Sequence, residues 1–160
     1  TASKRALEAA NLTPSDLDFI LVATVSGDQP MPNTACILQH KLGAKTCPAL
    51  DISAACSGFV YAVALADQFI RTGTYKNILV VGAEVLHRYV NYKERDTCIL
   101  FGDGAGAAVI TRAKENETSE IFSSKLSAEG AISDLVVLPA GGGALPFSQK
   151  VLDEGMQYVR

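Results

Sequence analysis

One cysteine stands apart in "LDISAACSGFVYAVALADQFIRTG", residues 50–73: Cys56 follows Ala54 and Ala55 and precedes Ser57 and Gly58. The stretch reads as an apolar strand turning directly into a helix. A side chain that protrudes from such a turn forces its own backbone into a tight bend, and bulky neighbours would collide. The G-x-S-x-G pattern of serine hydrolases has the same geometric cause. The start of a long helix also offers unpaired N–H groups and the positive end of the dipole, which favour a thiolate and lower a thiol's pKa. N–H groups at the same turn can hold an oxyanion. Cysteine is also a small hydrophobe at home in cores, so the residues alone leave packing and nucleophilic attack both open for Cys56. Cys36, Cys47 and Cys98 lack this frame and read as packing residues.

A cysteine nucleophile usually works with a base, commonly histidine. The two candidates are His40, late in a predicted helix beside Lys41, and His87, after a predicted strand. Nothing in their spacing directs either at Cys56, and a surface or hydrogen-bonded role suits both better. No C-x-x-C pair occurs among the four cysteines, so no metal site is expected.

The elements that position Cys56 follow from pattern. "SKRALEAANL" reads as a helix end, with Leu7 and Ala10 on one side. "TPSDLD" starts a helical turn with Thr13 as cap, Pro14 at the first position and Asp16 at the positive end. "FILVATV" is the unbroken apolar run expected of a parallel strand covered on both faces. "NTACILQHKLG" predicts a helix from Asn33 that stops at Gly43. "CPALDIS" is a second strand, followed by a helix closed by Gly73. The polar stripe of that helix is so narrow (Tyr61, Asp67, Gln68, Arg71) that burial almost all round is expected. "NILVVGAEV" is a third strand. "GAAVIT" and "EIFSSKL" read as two more, joined by the charged turn "RAKENETSE" into an antiparallel finish. "LPAGGGALPFSQ" predicts a mobile loop and "VLDEGMQYVR" gives a weak strand or turn signal. The sum is an α/β domain with a mixed sheet and buried helices, with no linker to divide it.

Composition narrows the function class. The chain has 160 residues, 48% of them hydrophobic and 19% charged, as expected of one globular domain with a proper core. A net charge of −3 without a clustered basic face argues against nucleic acid. The longest apolar runs are too short to cross a bilayer, and no charged-then-apolar leader is seen, so a cytoplasmic location with free thiols is expected. "FGDGAGAAVI" is not a dinucleotide-binding loop, because its glycines lead into a β-branched run and not a helix. Close backbone packing is expected instead at Gly102, Gly104 and Gly106.

"DISAACSGFVYAVALADQFI", "NILVVGAEVL" and "LFGDGAGAAVI", in this order and spacing, closely resemble β-ketoacyl-acyl-carrier-protein synthase III, a condensing enzyme of the thiolase superfamily. The similarity runs from about Leu7 to about Pro139. It implies one half of a thiolase-like fold, incomplete at both ends over residues 1–160, with Cys56 as the acylated nucleophile. Its N–H would supply part of the oxyanion hole. The implied activity takes a short acyl group, typically acetyl, from coenzyme A onto Cys56. Decarboxylative condensation with malonyl-acyl-carrier protein follows, with the coenzyme A thioester as substrate and no further cofactor. The resemblance places Leu86, Phe101 and Val25 at an acyl pocket and Arg95 against the adenine of coenzyme A. Met31 stands where the family often has phenylalanine reaching into the partner subunit of a homodimer, a departure that suits a different or larger acyl group. Arg88 and Lys93 remain solvated residues. The family's histidine and asparagine belong to a second half not contained in these residues, so a piece of this kind is expected to expose apolar surface. Three other readings stay open: a related enzyme for quinolone, polyketide or longer-chain starters, a non-catalytic thiolase-like interaction domain, and a redox-sensing thiol, for which only an acidified cysteine speaks.

Overall fold

The computed structural model describes residues 1–115, 117 and 119–160. These form two compact units, Thr1–Glu84 with Gly104–Leu126, and Val85–Asp103 with Ser127–Arg160.

The first unit is built on a mixed four-stranded sheet in the order β2-β1-β3-β4, with β1 at Phe19–Ala23, β2 at Ala49–Ile52, β3 at Asn77–Val85 and β4 at Asp103–Thr111. β1 runs parallel to both neighbours, pairing Ala23 with Ile52 on one side and with Gly82 on the other. Its five residues are all buried because both faces are covered. Ile20 and Val22 point to one side, where Leu7 of α1 (Ala2–Ala9) and Ala35 of α2 (Thr34–Leu42) join Leu17, Leu79 and Val81. Phe19 and Leu21 point to the other, against Ala62, Ala66 and Ile70 of α3 (Gly58–Arg71) and Ile78 and Val80 of β3. Each buried Leu, Ile, Val or Phe among them contributes about 1.5–3 kcal/mol, and each alanine less than about 1 kcal/mol. Rings of Phe19, Phe69 and Tyr75, with centroids 5.1–5.5 Å apart, fasten the end of α3 to the start of β1.

The capping residues act as their types predict. Thr13 donates its N–H and its hydroxyl to Asp16 Oδ2, at 2.8 and 2.6 Å, around the turn at Pro14–Asp16. The Asn33 side chain accepts from the Cys36 N–H at the start of α2, and Gly43 ends that helix at φ 71°. Gly73 follows α3 at φ 74°.

Four expectations are corrected in whole or in part. α3 is not buried all round: Val60 and Leu65 are exposed, because within this unit only its sheet-facing side is covered. "EIFSSKL" forms no strand; its apolar residues break period two, and Phe122 is exposed. Of the charged turn before it, Asn116 and Thr118 lie outside the described residues, while Lys114 and Glu117 close a turn by a 3.0 Å backbone hydrogen bond. In "VLDEGMQYVR" the turn of the two expected forms is found, at residues 154–157, but it follows a short helix and not a strand: α5 (Gln149–Asp153), which Ser148 caps by accepting the Val151 N–H. Among the described residues a Cβ at Gly102, Gly104 or Gly106 would meet nothing within 4 Å, so the expected close packing is not found there.

In the second unit a single turn at Leu86–Tyr89 leads to α4 (Arg95–Cys98). The Val159 N–H donates to Tyr89 O at 2.8 Å, and Val137 and Arg160 exchange backbone hydrogen bonds at 3.0 Å. Val90, Ala140 and Val151 are its buried apolar residues. Among the described residues no helix is long and apolar enough to cross a membrane.

Candidate active site

Cys56 stands where the sequence predicts, on an exposed turn between β2 and α3. The strain is carried one residue earlier. Ala55 has φ 44°, a left-handed conformation that costs an L-residue with a Cβ about 1–2 kcal/mol. Such strain persists only where the surroundings over-determine it, and it gathers at functional sites. The turn closes with the Ser57 N–H donating to Ala54 O at 3.1 Å, and α3 begins immediately after.

The small residues have separate causes. At Gly58 a Cβ would lie 3.0 Å from the Cβ of Ala23, tighter than ordinary packing, so a larger residue there would push the first turn of α3 away from the end of β1. Across the sheet, Gly82 beside Ala23 makes room for the Phe59 ring, which a Cβ would approach to 3.3 Å. Ala23, Gly58 and Gly82 thus form a floor of minimal side chains at the carboxyl ends of the parallel strands. That edge is where open α/β sheets generally bind their ligands.

Two carboxylates organise the edge, and neither was singled out from sequence. Asp51 on β2 accepts the N–H groups of Thr34 and Ala35, both at 2.7 Å, and so caps α2 from across the sheet. Glu84 near the end of β3 accepts the Val25 N–H at 3.0 Å and the Ser26 hydroxyl. The available signal was an acid inside an apolar strand, "ALDIS" and "VVGAEV", because a part-buried carboxylate needs donors.

The other expected site residues divide between the units. Val25 and Met31 belong with Cys56 to the first. Val25 is half-exposed two residues beyond Ala23, and Met31 is 80% exposed in the loop that follows, its carbonyl accepting from Gln29 Nε2 at 2.9 Å. Leu86, Arg95 and Phe101 belong to the second unit, Leu86 and Phe101 partly buried and Arg95 exposed at the start of α4. The segment that carries them is closed by His87 and Asp103. His87 Nδ1 lies 2.6 Å from Asp103 Oδ2, and the His87 N–H donates to Oδ1 at 3.0 Å. That N–H first, and then the ring, hold the Asp103 carboxyl below the usual carboxylate range. His87 is therefore hydrogen-bonded, as expected, and His40 is exposed. Arg88 and Lys93 are exposed as well.

The remaining cysteines differ among themselves. Cys47 packs against the core under β1, and burial pushes its thiol up, with Lys45 opposing. Cys98 is half-buried. Cys36 is exposed, so packing does not account for it; it sits on the outer side of α2, next to buried Ala35.

Comparison with known proteins agrees with this geometry. Residues 50–130 match the model of the family 3-oxoacyl-[acyl-carrier-protein] synthase III. The β-ketoacyl-[acyl-carrier-protein] synthase III of Caldanaerobacter subterraneus is 50% identical over 158 residues, covering 99% of this chain and 47% of that protein. The Sulfurovum protein of the same name is 49% identical over 160 residues, with the same coverage. The crystal structure of 3-oxoacyl-[acyl-carrier-protein] synthase III from Aquifex aeolicus superposes with a TM-score of 0.82 at 43% identity, over 99% of this chain and 46% of that one. The chain spans about half the length of the relatives it matches. With half of its residues matched by the family model and its fold superposing on a member, this chain belongs to the 3-oxoacyl-acyl-carrier-protein synthase III family.

Proposed function

We propose that the intact protein is a starter condensing enzyme of fatty-acid synthesis in which Cys56 carries the acyl group. The observation that bears most weight is the exposed thiol at the start of α3, immediately after the strained Ala55. In the first half-reaction the Cys56 thiolate attacks the thioester carbonyl of a short acyl-CoA. A tetrahedral oxyanion forms, held in part by the Cys56 N–H, and collapses with loss of the coenzyme A thiolate. In the second, malonyl-acyl-carrier protein loses carbon dioxide, and the electron pair left on its α-carbon attacks the acyl-Cys56 carbonyl. The Cys56 thiolate leaves, and the β-ketoacyl chain departs on the carrier protein. The family resemblance assigns Leu86, Phe101 and Val25 each to acyl binding, and Arg95 to the adenine of coenzyme A. Met31 reaches toward the partner subunit of a cytoplasmic homodimer. Residues outside this chain complete the decarboxylating machinery, as the chain's share of its relatives' length suggests.

A second reading keeps the chemistry and changes the starter. Met31 is flexible and largely exposed where the family often has phenylalanine, which suits longer or polyketide-type starters. Mixing the intact protein with a series of acyl-CoAs, then with malonyl-acyl-carrier protein, and following carbon dioxide release tests both. Acetyl as the preferred group supports the first reading, and a long or aromatic acyl group replaces it with the second. A protein that acylates with none of them is the non-catalytic interaction domain.

A further inference from the structure

An acid near the end of an otherwise apolar strand requires donors, and Glu84 takes them from three consecutive residues after β1. Its Oε1 accepts the Val25 N–H at 3.0 Å, while Oε2 accepts the same N–H at 3.3 Å and the Thr24 hydroxyl at 3.5 Å. The Ser26 hydroxyl donates to Oε2 as well. The Ser26 N–H in turn donates to Thr24 Oγ1 at 3.2 Å, so the loop is tied to itself as well as to β3. Thr24 and Ser26 are buried, at 9% and 5% exposure, whereas the Val25 side chain between them is 42% exposed. Hydrogen bonds to a charged acceptor are the stronger kind, and this carboxylate gathers donors on both sides of one apolar residue.

The clamped loop shares a corner with the thiol. The Thr24 N–H donates to Ile52 O at 3.1 Å, which joins the exits of β1 and β2. Ala23, one residue earlier, touches the position where Gly58 opens α3. Cys56 lies between Ile52 and Gly58, so the chain carries it away from the same three-residue floor that Val25 leaves. The clamp on the Val25 backbone thus acts two residues beyond Ala23, the residue on which Gly58, two residues after Cys56, is seated.

We infer that Glu84 is a positioning residue: by fixing the loop Thr24–Ser26 it holds Val25 beside Cys56 and limits the chain length accepted at the thiol. It acts through Val25 and not on the reacting atoms. The acyl part of this inference rests on the proposed acyl transfer to Cys56. The clamp itself does not, so the two can fail separately.

The test uses the intact protein and the variants E84Q, V25A and E84Q/V25A, with thermal melting to establish folding. Glu84→Gln keeps the size but places amide hydrogens against a site that supplies donors. One arm compares Cys56 acylation by acetyl-CoA and octanoyl-CoA. The other compares labelling of Cys56 by N-methylmaleimide and N-hexylmaleimide, located by peptide mass, and needs no enzymatic activity. Glu84→Gln is expected to raise the long-to-short ratio by about tenfold in both arms, the scale of a methylene-sized change in an apolar pocket. In the V25A background it is expected to add no more than about twofold. A maleimide ratio within about twofold of the parent overturns the inference, as does an undiminished shift in the V25A background. A shifted maleimide ratio in a protein that takes acyl from neither coenzyme A thioester upholds the clamp and overturns the acyl-transfer reading. If E84Q does not fold, S26A removes one donor and leaves the acid, and the same ratio is read with a smaller shift expected in the same direction.

Discussion

Cys47 and Cys56 flank the same short strand, β2, yet stand in opposite surroundings. At the amino edge of the parallel strands, Cys47 packs into the core, and its neighbours are mutually satisfied. The Asp18 carboxylate accepts the N–H groups of Lys76 and Asn77, both at 3.1 Å, and meets Lys45 Nζ at 3.3 Å. At the carboxyl edge, Cys56 is exposed, Ala55 is left-handed, and Val25 is half-exposed on a loop held by Glu84. The same thiol chemistry is thus closed off at one end of a strand and presented at the other. What separates them is backbone: an unstrained entry in one case, and in the other an elbow that only minimal side chains permit.

Several substitutions test this contrast. The largest effect is expected from Cys56→Ala, which reduces acyl transfer in the intact protein to background, whereas Cys47→Ala leaves it intact; a steady-state assay with acyl-CoA and malonyl-acyl-carrier protein distinguishes the two. Gly58→Val comes next. Its branched side chain cannot fit 3.0 Å from Ala23, so α3 must lift from β1 and Cys56 moves with it. A loss of about a hundredfold in acylation rate is expected, that being the scale of a misplacement of about 1 Å, together with about 1–3 kcal/mol of stability in denaturant melts.

Smaller effects belong to the closed edge. Partial burial works against ionisation of Asp18, but the Lys76 and Asn77 N–H groups and Lys45 outweigh it, so its carboxyl titrates below the ordinary value. A depressed folded-state pKa means stabilisation that is present above the unfolded value of about 3.9 and lost as pH falls through the lower folded value. Asp18→Asn is therefore expected to cost about 2 kcal/mol at neutral pH, with the gap to the parent closing on acidification through that range. Urea melts across pH check it. Cys47→Ser, which places a hydroxyl in an apolar setting, is expected to lower stability by about 1 kcal/mol without changing acylation.

How much was legible in advance follows the same divide. Regular elements with a strong period were readable: β1 from its unbroken apolar run, α2 from Asn33 and Gly43, and the elbow from its small residues. What was hidden depends on groups that meet only in space. The left-handed φ falls on Ala55 and not on a glycine, so no residue type marked it. The reason for Gly58 is Ala23, some 35 positions earlier in the chain, and the donors of Glu84 follow a different strand. "EIFSSKL" misled because β-forming residue types alone do not make a strand when the apolar residues break period two, and Phe122 is left exposed. The roles of Leu86, Phe101 and Arg95 rest on family resemblance alone, since nothing in their types or spacing marks a pocket.

The most direct measurement is the site of acyl attachment. The intact protein is incubated with acetyl-CoA or another short acyl-CoA, quenched in acid, digested and mapped by peptide mass. One acyl group on the peptide containing Cys56, and none on those containing Cys36, Cys47 or Cys98, is the predicted result. An acyl group on any other cysteine, or none on Cys56 across the acyl-CoA series, would contradict the account.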